Sequence, residues 1–280
     1  LTACSGSKPA ETTAAAGDTT AAAAETTAAD TEAAESQAEE TTAEEAKTTD
    51  GGTLIVGFDQ DFPPFGYVGD DGEYTGFDLE LAAECAKRMG QEIVYQPIDW
   101  DAKDMELESG TIDCIWNGFT MDGREDKYTW TDPYMDNSQV VVVRKDSGIS
   151  GLDDLAGKIV EVQKESSAQS ALEENTDLSG SFAQLLTVGE YNTAIMDLES
   201  GAVDAIAMDI FVAKDQLADK GDELVILDEQ ISSEKYAVGF LKGNTELRDQ
   251  VQKTLEEMVA DGTFAEISKK WFDSDVCILK

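Results

Sequence analysis

The 280-residue sequence contains no histidine, and its 20 lysine and arginine residues are far outnumbered by 59 aspartate and glutamate residues. Histidine is the commonest general base and metal ligand, so hydrolase and zinc mechanisms that depend on histidine are excluded. The formal net charge of −39 repels nucleic acids and anionic lipids. We therefore expect no nucleic-acid partner, and we interpret the charge mainly as a source of solubility.

Cysteine is also scarce, and none of the four cysteines lies in a CxxC pair or at metal-ligand spacing. We expect neither a metal nor another cofactor. Cys85 and Cys114 fall in apolar stretches and are predicted to be buried thiols. A disulfide between any two cysteines stays open as an alternative in an exported protein. Nowhere does the sequence reach the roughly 18 uninterrupted apolar residues that a membrane-spanning helix needs.

The first 52 residues are predicted to lie outside the folded part. Leu1-Thr2-Ala3-Cys4 resembles a bacterial lipobox, which implies that residues 1–3 end a signal peptide and that Cys4 carries a lipid. Residues 5–50 contain no aromatic side chain and no Val, Ile, Leu or Met, so nothing can be buried to offset the entropy lost on ordering. Residues 4–52 are therefore predicted to form the lipidated cysteine and a disordered, acidic stalk.

Short apolar strands and amphipathic helices alternate from Thr53 onward. The predicted strands are 53–57, 93–95, 112–116, 139–144, 158–162, 203–208 and 236–241. The predicted helices are 78–89, 101–108, 166–174 and 245–260, the last with Asn244 as its N-cap. Strands and helices that alternate at this spacing predict a parallel α/β architecture.

A series of short motifs then follows in an order that resembles one family. The motifs are Val56–Phe65, Tyr74–Leu79, Pro97–Trp100, Ser109–Asp113, Gly118–Thr120 with Arg124, Trp130–Tyr134, Val162–Ser167, Met208–Asp209, Asp261–Phe264 and Lys269–Phe272. Each motif is weak alone, but the ordered set is specific. Over about residues 53–273 the chain resembles the polar amino-acid solute-binding proteins of bacteria, extracellular family 3.

The resemblance implies an α/β fold of the two-lobe, periplasmic-binding-protein-like type II, with the ligand in a cleft between the lobes. Transferred to this chain, lobe 1 comprises residues 53–140 and 238–280, and lobe 2 comprises residues 141–237. The two hinge strands are expected at Gln139–Arg144 and Lys235–Gly239. Closure of two lobes around a ligand is a common hinge motion.

The resemblance also assigns a partner to each charged group of an amino acid. A desolvated carboxylate needs a cation with forked donors, and an ammonium needs a carboxylate. Arg124 matches the family's carboxylate-binding arginine, although the loop Thr120–Arg124 is one residue shorter than the commonest version. Asp209 ends an apolar strand, where ligands of α/β sheets bind, and matches the ammonium-binding aspartate. Helix capping is the alternative role for Asp209.

The other predicted ligand-binding residues are Asp59, Phe62, Trp100, Asn117, Gly118, Thr120, Gln163, Ser166 and Ser167. Phe62 and Trp100 match aromatic positions that clamp the ligand's side chain, although aromatic residues are more often core residues. Asp59 matches a side-chain contact that favours a polar or cationic ligand, with a capped turn as the alternative. Gln163 is a weaker candidate.

Backbone groups complete the predicted site. Gly118 and Thr120 are expected to offer a carbonyl and an amide, with help from the threonine hydroxyl. Ser166 and Ser167 begin a helix whose free N–H groups suit a carboxylate, and simple N-capping is the alternative for both. Glu165 stands where the family usually has glycine, which places a negative charge near this anion site.

These features imply a substrate-binding lipoprotein of an amino-acid ABC importer. It would capture an L-amino acid, deliver it to a permease with its ATPase, and act as a monomer without catalysis. A lipid alone would hold it at the outer face of the bacterial cytoplasmic membrane. Cystine, glutamine, glutamate and the basic amino acids remain open as ligands. The alternatives are an enzyme on the same fold, similar to cyclohexadienyl or arogenate dehydratase, and a sensory domain of a membrane kinase.

Overall fold

The computed structural model describes residues 52–218 and 220–280, so the predictions for Cys4 and for residues 5–51 lie outside the described residues. The strands are β1 (Thr53–Phe58), β2 (Asp61–Phe62), β3 (Gly66–Val68), β4 (Tyr74–Thr75), β5 (Glu92–Pro97), β6 (Cys114–Ile115), β7 (Thr129–Trp130), β8 (Met135–Arg144), β9 (Ile159–Gln163), β10 (Gln184–Val188), β11 (Ala205–Asp209), β12 (Leu224–Tyr236) and β13 (Gly239–Phe240). The helices are α1 (Phe77–Arg88), α2 (Lys103–Glu108), α3 (Ser167–Glu174), α4 (Thr176–Ser179), α5 (Tyr191–Ser200), α6 (Ile210–Gln216), α7 (Thr245–Ala260) and α8 (Thr263–Phe272).

The first sheet has the strand order β5-β1-β6-β13-β7. Strand β1 pairs in parallel with β5 and β6, and the late strand β13 is inserted antiparallel between β6 and β7. Helix α1 packs against β5 and buries Leu79, Ala82 and Cys85 on one face, as its helical spacing predicts. A small antiparallel sheet, β2-β3-β4, follows β1.

The second sheet has the order β10-β9-β11-β8-β12. Strands β9, β10 and β11 run parallel, whereas β8 runs antiparallel to both of its neighbours. Because β8 is central, all four valines of its run, at 140–143, are buried. Among the predicted elements, the helices at 166–174 and 245–260 match α3 and α7 closely, with Ser166 and Asn244 as their N-cap residues.

The predicted hinge at Gln139–Arg144 was wrong. This segment pairs with β11 from Gln139 opposite Asp209 to Val143 opposite Ala205, so it lies inside the second sheet. A run of buried valines has the same composition in a hinge strand and in a central strand. The chain instead crosses between the sheets at residues 131–134, and it returns at residues 237–238, between β12 and β13.

The boundary predicted at residue 140 falls inside β8, which belongs to the second sheet from Met135 onward. Below, lobe 1 denotes residues 53–134 and 237–280, built on the first sheet, and lobe 2 denotes residues 135–236, built on the second. Two backbone contacts hold the C-terminal segment against the crossing. Cys277 forms an isolated antiparallel β-bridge with Met135, and Ile278 N donates to Tyr134 O at 3.0 Å.

Two other expectations concern single features. Cys85 and Cys114 are buried as predicted, and these two and the half-buried Cys277 are free thiols. In the described ranges no helix combines the length and the apolar character that crossing a membrane requires.

Candidate ligand-binding site

A cleft of about 270 Å³ lies between the two lobes. It is lined by Phe62, Trp100, Asn117, Gly118, Thr120, Arg124, Gln163, Ser166, Ser167 and Asp209. All ten were predicted from the sequence as ligand-binding residues, and the structure brings them to one place from positions up to 147 residues apart in the chain. Their roles toward a ligand stay a prediction. Within this lining Arg124 is the one cation and Asp209 the one anion.

Arg124 is held by backbone carbonyls from both lobes. Its Nη1 donates to Thr120 O at 3.1 Å and its Nη2 to Glu165 O at 3.0 Å, while Cζ lies 5.3 Å from the centroid of the Phe119 ring. Burial lowers the pKa of the Arg124 guanidinium, which still stays protonated at ordinary pH. Two contacts leave three of the five N–H donors for an anion in the cleft.

The N-terminus of α3 forms the wall beside Arg124. Ser166 caps the helix, because its Oγ accepts from Gln169 N at 3.1 Å. The predicted N-capping role is therefore present, and in the described part of the chain the amides of Ser167 and Ala168 make no hydrogen bond. These free amides face the region where a carboxylate would be attracted by the helix dipole.

Glu165 shows why the family usually has glycine at this position. Its φ is +59°, in the left-handed region where a side chain is strained. The backbone adopts this conformation because Glu165 O accepts from Arg124 Nη2 and from Lys103 Nζ, at 3.0 and 3.3 Å. The same turn is closed by Glu165 N, which donates to Gln169 Oε1 at 2.8 Å.

Asp209 ends β11 and lies at the N-terminus of α6, where it is buried. Its Oδ1 accepts from Asn137 Nδ2 at 2.6 Å, from Gln139 Nε2 at 2.9 Å and from the hydroxyl of Tyr236. Burial, assisted by the nearby Glu234 carboxylate, raises the pKa of Asp209 to about 7. The alternative role of Asp209, a side-chain cap of α6, is absent.

Glu234 is a neighbour of this site that the sequence reasoning missed. It lies near the end of β12 and is buried, and its Oε1 accepts from Thr120 Oγ1 at 2.8 Å and from Ser167 Oγ at 3.2 Å. Asn137 Nδ2 and Gln139 Nε2 each donate to it at 2.7 Å, so these two amides link Glu234 with Asp209. The one signal in the sequence was the polar run 136–139 ahead of four valines.

In the loop of Gly118 and Thr120, the backbone amide that stays available is that of Thr120, the residue expected to offer one. Gly118 has φ +56°, and a Cβ there would lie 2.9 Å from the Phe62 ring, so only glycine fits. Its N–H donates to Asp78 Oδ2 rather than to the cleft. Asp78, whose pKa burial raises to about 7, also accepts from Tyr134 Oη at 2.8 Å and thereby holds this loop. Thr120 N–H has no acceptor among the described residues, so it is the available amide.

Asp59 is the one predicted site residue that does not line the cleft. Its Oδ2 accepts from Gln163 Nε2 at 2.6 Å and its Oδ1 from Asp61 N at 2.8 Å, so one oxygen holds a side chain of the cleft lining and the other caps a turn, the alternative role given above. Burial raises the pKa of Asp59 to about 6. Its contact reaches across the lobes and positions Gln163, whose amide also donates to Gly189 O at 2.9 Å.

A wider groove of about 1060 Å³ adjoins the cleft and shares Trp100 with it. Its acidic lining residues are Asp59, Asp61, Asp99, Asp101, Glu106 and Glu190. No lysine or arginine belongs to this lining, although Lys164 of lobe 2 pairs with Asp101 at 2.7 Å on its edge. The groove therefore carries a negative potential next to the cleft.

Two aromatic side chains of lobe 1, Phe62 and Trp100, contribute to the apolar lining. Phe62 packs against Phe65 and Tyr191, with centroid distances of 5.8 and 6.1 Å. Trp100 packs edge-on against Phe119 at 5.4 Å, and Lys103 Nζ lies 5.2 Å from its ring centroid. Both rings therefore pack in the core and also line the cleft, so the two roles that the sequence left open, core residue and cleft residue, are both present.

Two α/β lobes with a small, charged cleft between them are the architecture of the type II periplasmic binding proteins. The sequence profile of the bacterial extracellular solute-binding proteins, family 3, matches residues 54–274. The chain belongs to this family.

Three relatives illustrate the likeness. The L-cystine-binding protein TcyJ of Escherichia coli is 35% identical over 82% of this chain and 86% of its own length. A histidine-bound substrate-binding protein of an ABC uptake transporter from Streptococcus pneumoniae has a TM-score of 0.78 at 35% identity, covering 81% of this chain and 95% of that one. The arginine-, lysine- and histidine-binding protein ArtJ of Geobacillus stearothermophilus has a TM-score of 0.72 at 30% identity, covering 80% and 96%.

Proposed function

We propose that the protein captures one L-α-amino acid in the cleft for an ABC importer. The observation that carries the proposal concerns Arg124 and Asp209, the cation and the anion of the cleft lining. Neither side chain takes part in an ion pair with the described residues. Arg124 and the amides of Thr120 and Ser167 would bind the α-carboxylate, and Asp209 the α-ammonium. Phe62 and Trp100 would enclose the aliphatic part.

We further propose that the far end of the ligand carries a cationic group. The acidic groove beside Trp100 has room and negative potential for a second ammonium, a guanidinium or an imidazolium. Arginine and lysine carry such a group, histidine carries one when its imidazole is protonated, and cystine carries one in the ammonium of its second half, beside a carboxylate; glutamate carries none. The relatives named above bind ligands of this group.

A thermal-shift screen of the whole chain against the twenty amino acids, cystine and ornithine tests both statements. A ligand at a hundredfold excess over its Kd stabilises the native state by about 2.7 kcal/mol, which gives a clear rise in Tm. We expect that rise with cystine or a basic amino acid and none with glutamate. Glutamate as the best ligand would exclude the proposed substrate group.

If no amino acid raises the Tm, the cleft could already hold a ligand bound during expression, and this case has to be distinguished from a lack of binding. The protein is therefore unfolded, dialysed, refolded and screened again. An unchanged Tm with every amino acid after refolding would contradict the proposal that the chain is an amino-acid receptor. We also propose that the chain is not an enzyme, since Asp209 supplies the partner for an ammonium that a binding protein needs and a dehydratase usually lacks. Prephenate and arogenate in the same screen, with product analysis, test the dehydratase alternative.

We propose that Cys4 carries the lipid and that residues 5–52 tether a monomeric binding domain to the outer face of the membrane, close to the permease and its ATPase. The support is the lipobox-like Leu1–Cys4 and the acidic composition that follows. A tether raises the effective concentration of the receptor at its permease. Cys4→Ser, expressed with a complete signal peptide, is expected to lose incorporation of a labelled fatty acid and to leave the membrane fraction. Unchanged labelling would disprove the anchor.

A further inference from the structure

Glu234 occupies the junction of the two lobes, just behind the cleft lining. Four donors converge on its Oε1: the hydroxyls of Thr120 and Ser167, and the side-chain amides of Asn137 and Gln139. Thr120 belongs to lobe 1 and the other three to lobe 2. Its Oε2 makes no hydrogen bond to the described residues, and the side chain borders a second, open groove of about 920 Å³ that shares no residue with the cleft lining.

The convergence decides which way two hydroxyl protons point. A carboxylate only accepts hydrogen bonds, so the protons of Thr120 and Ser167 are directed to Glu234 and away from the cleft. The bond from Thr120 is 2.8 Å long, shorter than its alternative of 3.2 Å to Ser167 Oγ. Ser167 Oγ also accepts from Gln139 Nε2 at 3.0 Å, which leaves one of its lone pairs for the cleft beside those of Thr120 Oγ1. Together with Asp209 they form a set of acceptors.

An ammonium group has only donors, and a carboxylate only acceptors, so this acceptor set attracts the first and repels the second. Resting on the function proposed above, we infer that Glu234 is a positioning residue for amine recognition. By fixing the hydroxyls of Thr120 and Ser167 as acceptors, it makes the Asp209 side of the cleft select an α-ammonium. Glu234 itself does not touch the ligand.

The inference is tested by comparing an amino acid with its analogue that lacks the α-amino group. The pairs are L-arginine with 5-guanidinopentanoate, L-lysine with 6-aminohexanoate, and L-histidine with 3-(imidazol-4-yl)propionate, each differing by the α-amino group alone; the pair whose amino acid binds the wild type best is used. Kd values are measured by calorimetry, with competition for the weak analogue. The readout is the ratio of the two Kd values, because a loss of folding or closure weakens both ligands alike.

Two variants at Glu234 separate the acceptor from the charge. Glu234→Met removes the acceptor, so the hydroxyls are free to turn toward the ligand; we expect the amino acid to bind at least about 30-fold more weakly and the analogue to change less than about threefold. Glu234→Gln keeps an acceptor oxygen at the same place, so both Kd values should stay within about fivefold of the wild type. The matched control Glu229→Gln lies on the same strand at an exposed position.

A double-mutant cycle with Thr120→Val identifies the route. If Glu234 acts through the Thr120 hydroxyl, the losses from Thr120→Val and Glu234→Met are clearly less than additive. The inference would be overturned if Glu234→Met weakened both ligands equally and so left the ratio of their Kd values unchanged. It would also be overturned if the ratio in Glu234→Gln fell well below that of the wild type. This second test holds even if the methionine variant fails to fold. A wild type that binds no amino acid would instead contradict the proposed function on which the inference depends.

Discussion

Replacing Arg124 by alanine should lower the affinity for every amino acid ligand by at least about 1000-fold, because truncating one partner of a buried, hydrogen-bonded charge pair costs several kcal/mol. The guanidinium is the one cation in the cleft lining, and its fork suits both carboxylate oxygens. It also joins Thr120 O of lobe 1 to Glu165 O of lobe 2, so its loss weakens closure as well. Calorimetric titration with the ligand found in the screen measures the effect.

The fold should survive this substitution, since the Arg124 side chain is half-buried and lies outside the main core cluster. Arg248→Ala is the matched control: Arg248 Nη1 also donates to a backbone carbonyl, that of Trp130 at 2.8 Å, but it does not line the cleft. Arg124→Lys should give an intermediate affinity, because lysine keeps the charge and loses the fork. Wild-type affinity in Arg124→Ala would show that the carboxylate binds elsewhere.

Asp209→Asn should have opposite effects on binding and on stability. Affinity for the amino acid is expected to fall by about 100-fold or more, because the ammonium loses its only charged partner in the cleft lining. The free energy of unfolding without ligand at pH 8 is expected to rise by about 1 kcal/mol or more, since the buried charge and its repulsion from Glu234 are removed. Calorimetric titration and urea unfolding measure the two effects.

The same carboxyl group contributes to the pH dependence of the wild type, beside Asp78 and Asp59, whose pKa values are also raised. The pKa of Asp209 is about 7 in the native state against an ordinary value of 3.8, so the native state binds more protons between these values. Stability without ligand therefore falls as pH rises from about 4 to 7, by up to about 1.4 kcal/mol per pH unit for this group. Binding changes in the other direction: below pH 7 a protonated Asp209 cannot pair with an ammonium, and affinity decreases by up to about tenfold per pH unit.

Asp113→Asn serves as the control for Asp209→Asn. Asp113 is also a partly buried aspartate whose pKa is raised by burial, and its Oδ2 accepts from Ile55 N at 2.7 Å, away from the cleft. The Asp113→Asn substitution should leave unchanged both the affinity for the amino acid and the pH dependence of that affinity. A loss of binding equal to that of Asp209→Asn, or an affinity of the wild type that is flat from pH 5 to 8, would contradict the assignment of Asp209.

The sequence by itself determined the α/β alternation, the family and the ten residues that meet in the cleft. Periodicity reports which face of a helix or strand is buried, so α1, α3 and α7 could be predicted within a residue or two. The site residues could be predicted from the ordered motifs, because many of these residues lie at the ends of strands, where polar side chains follow an apolar run.

The tertiary structure alone decided how distant segments meet. Glu234 lies 114 residues from Thr120 and 67 from Ser167, and no local pattern relates these positions. The location of the crossing, the diversion of the Gly118 amide to Asp78 and the turn of Asp59 toward Gln163 likewise depend on the register between elements. Register and orientation are fixed by packing of the whole molecule, and composition is the same whether a polar group faces a ligand or a neighbouring side chain.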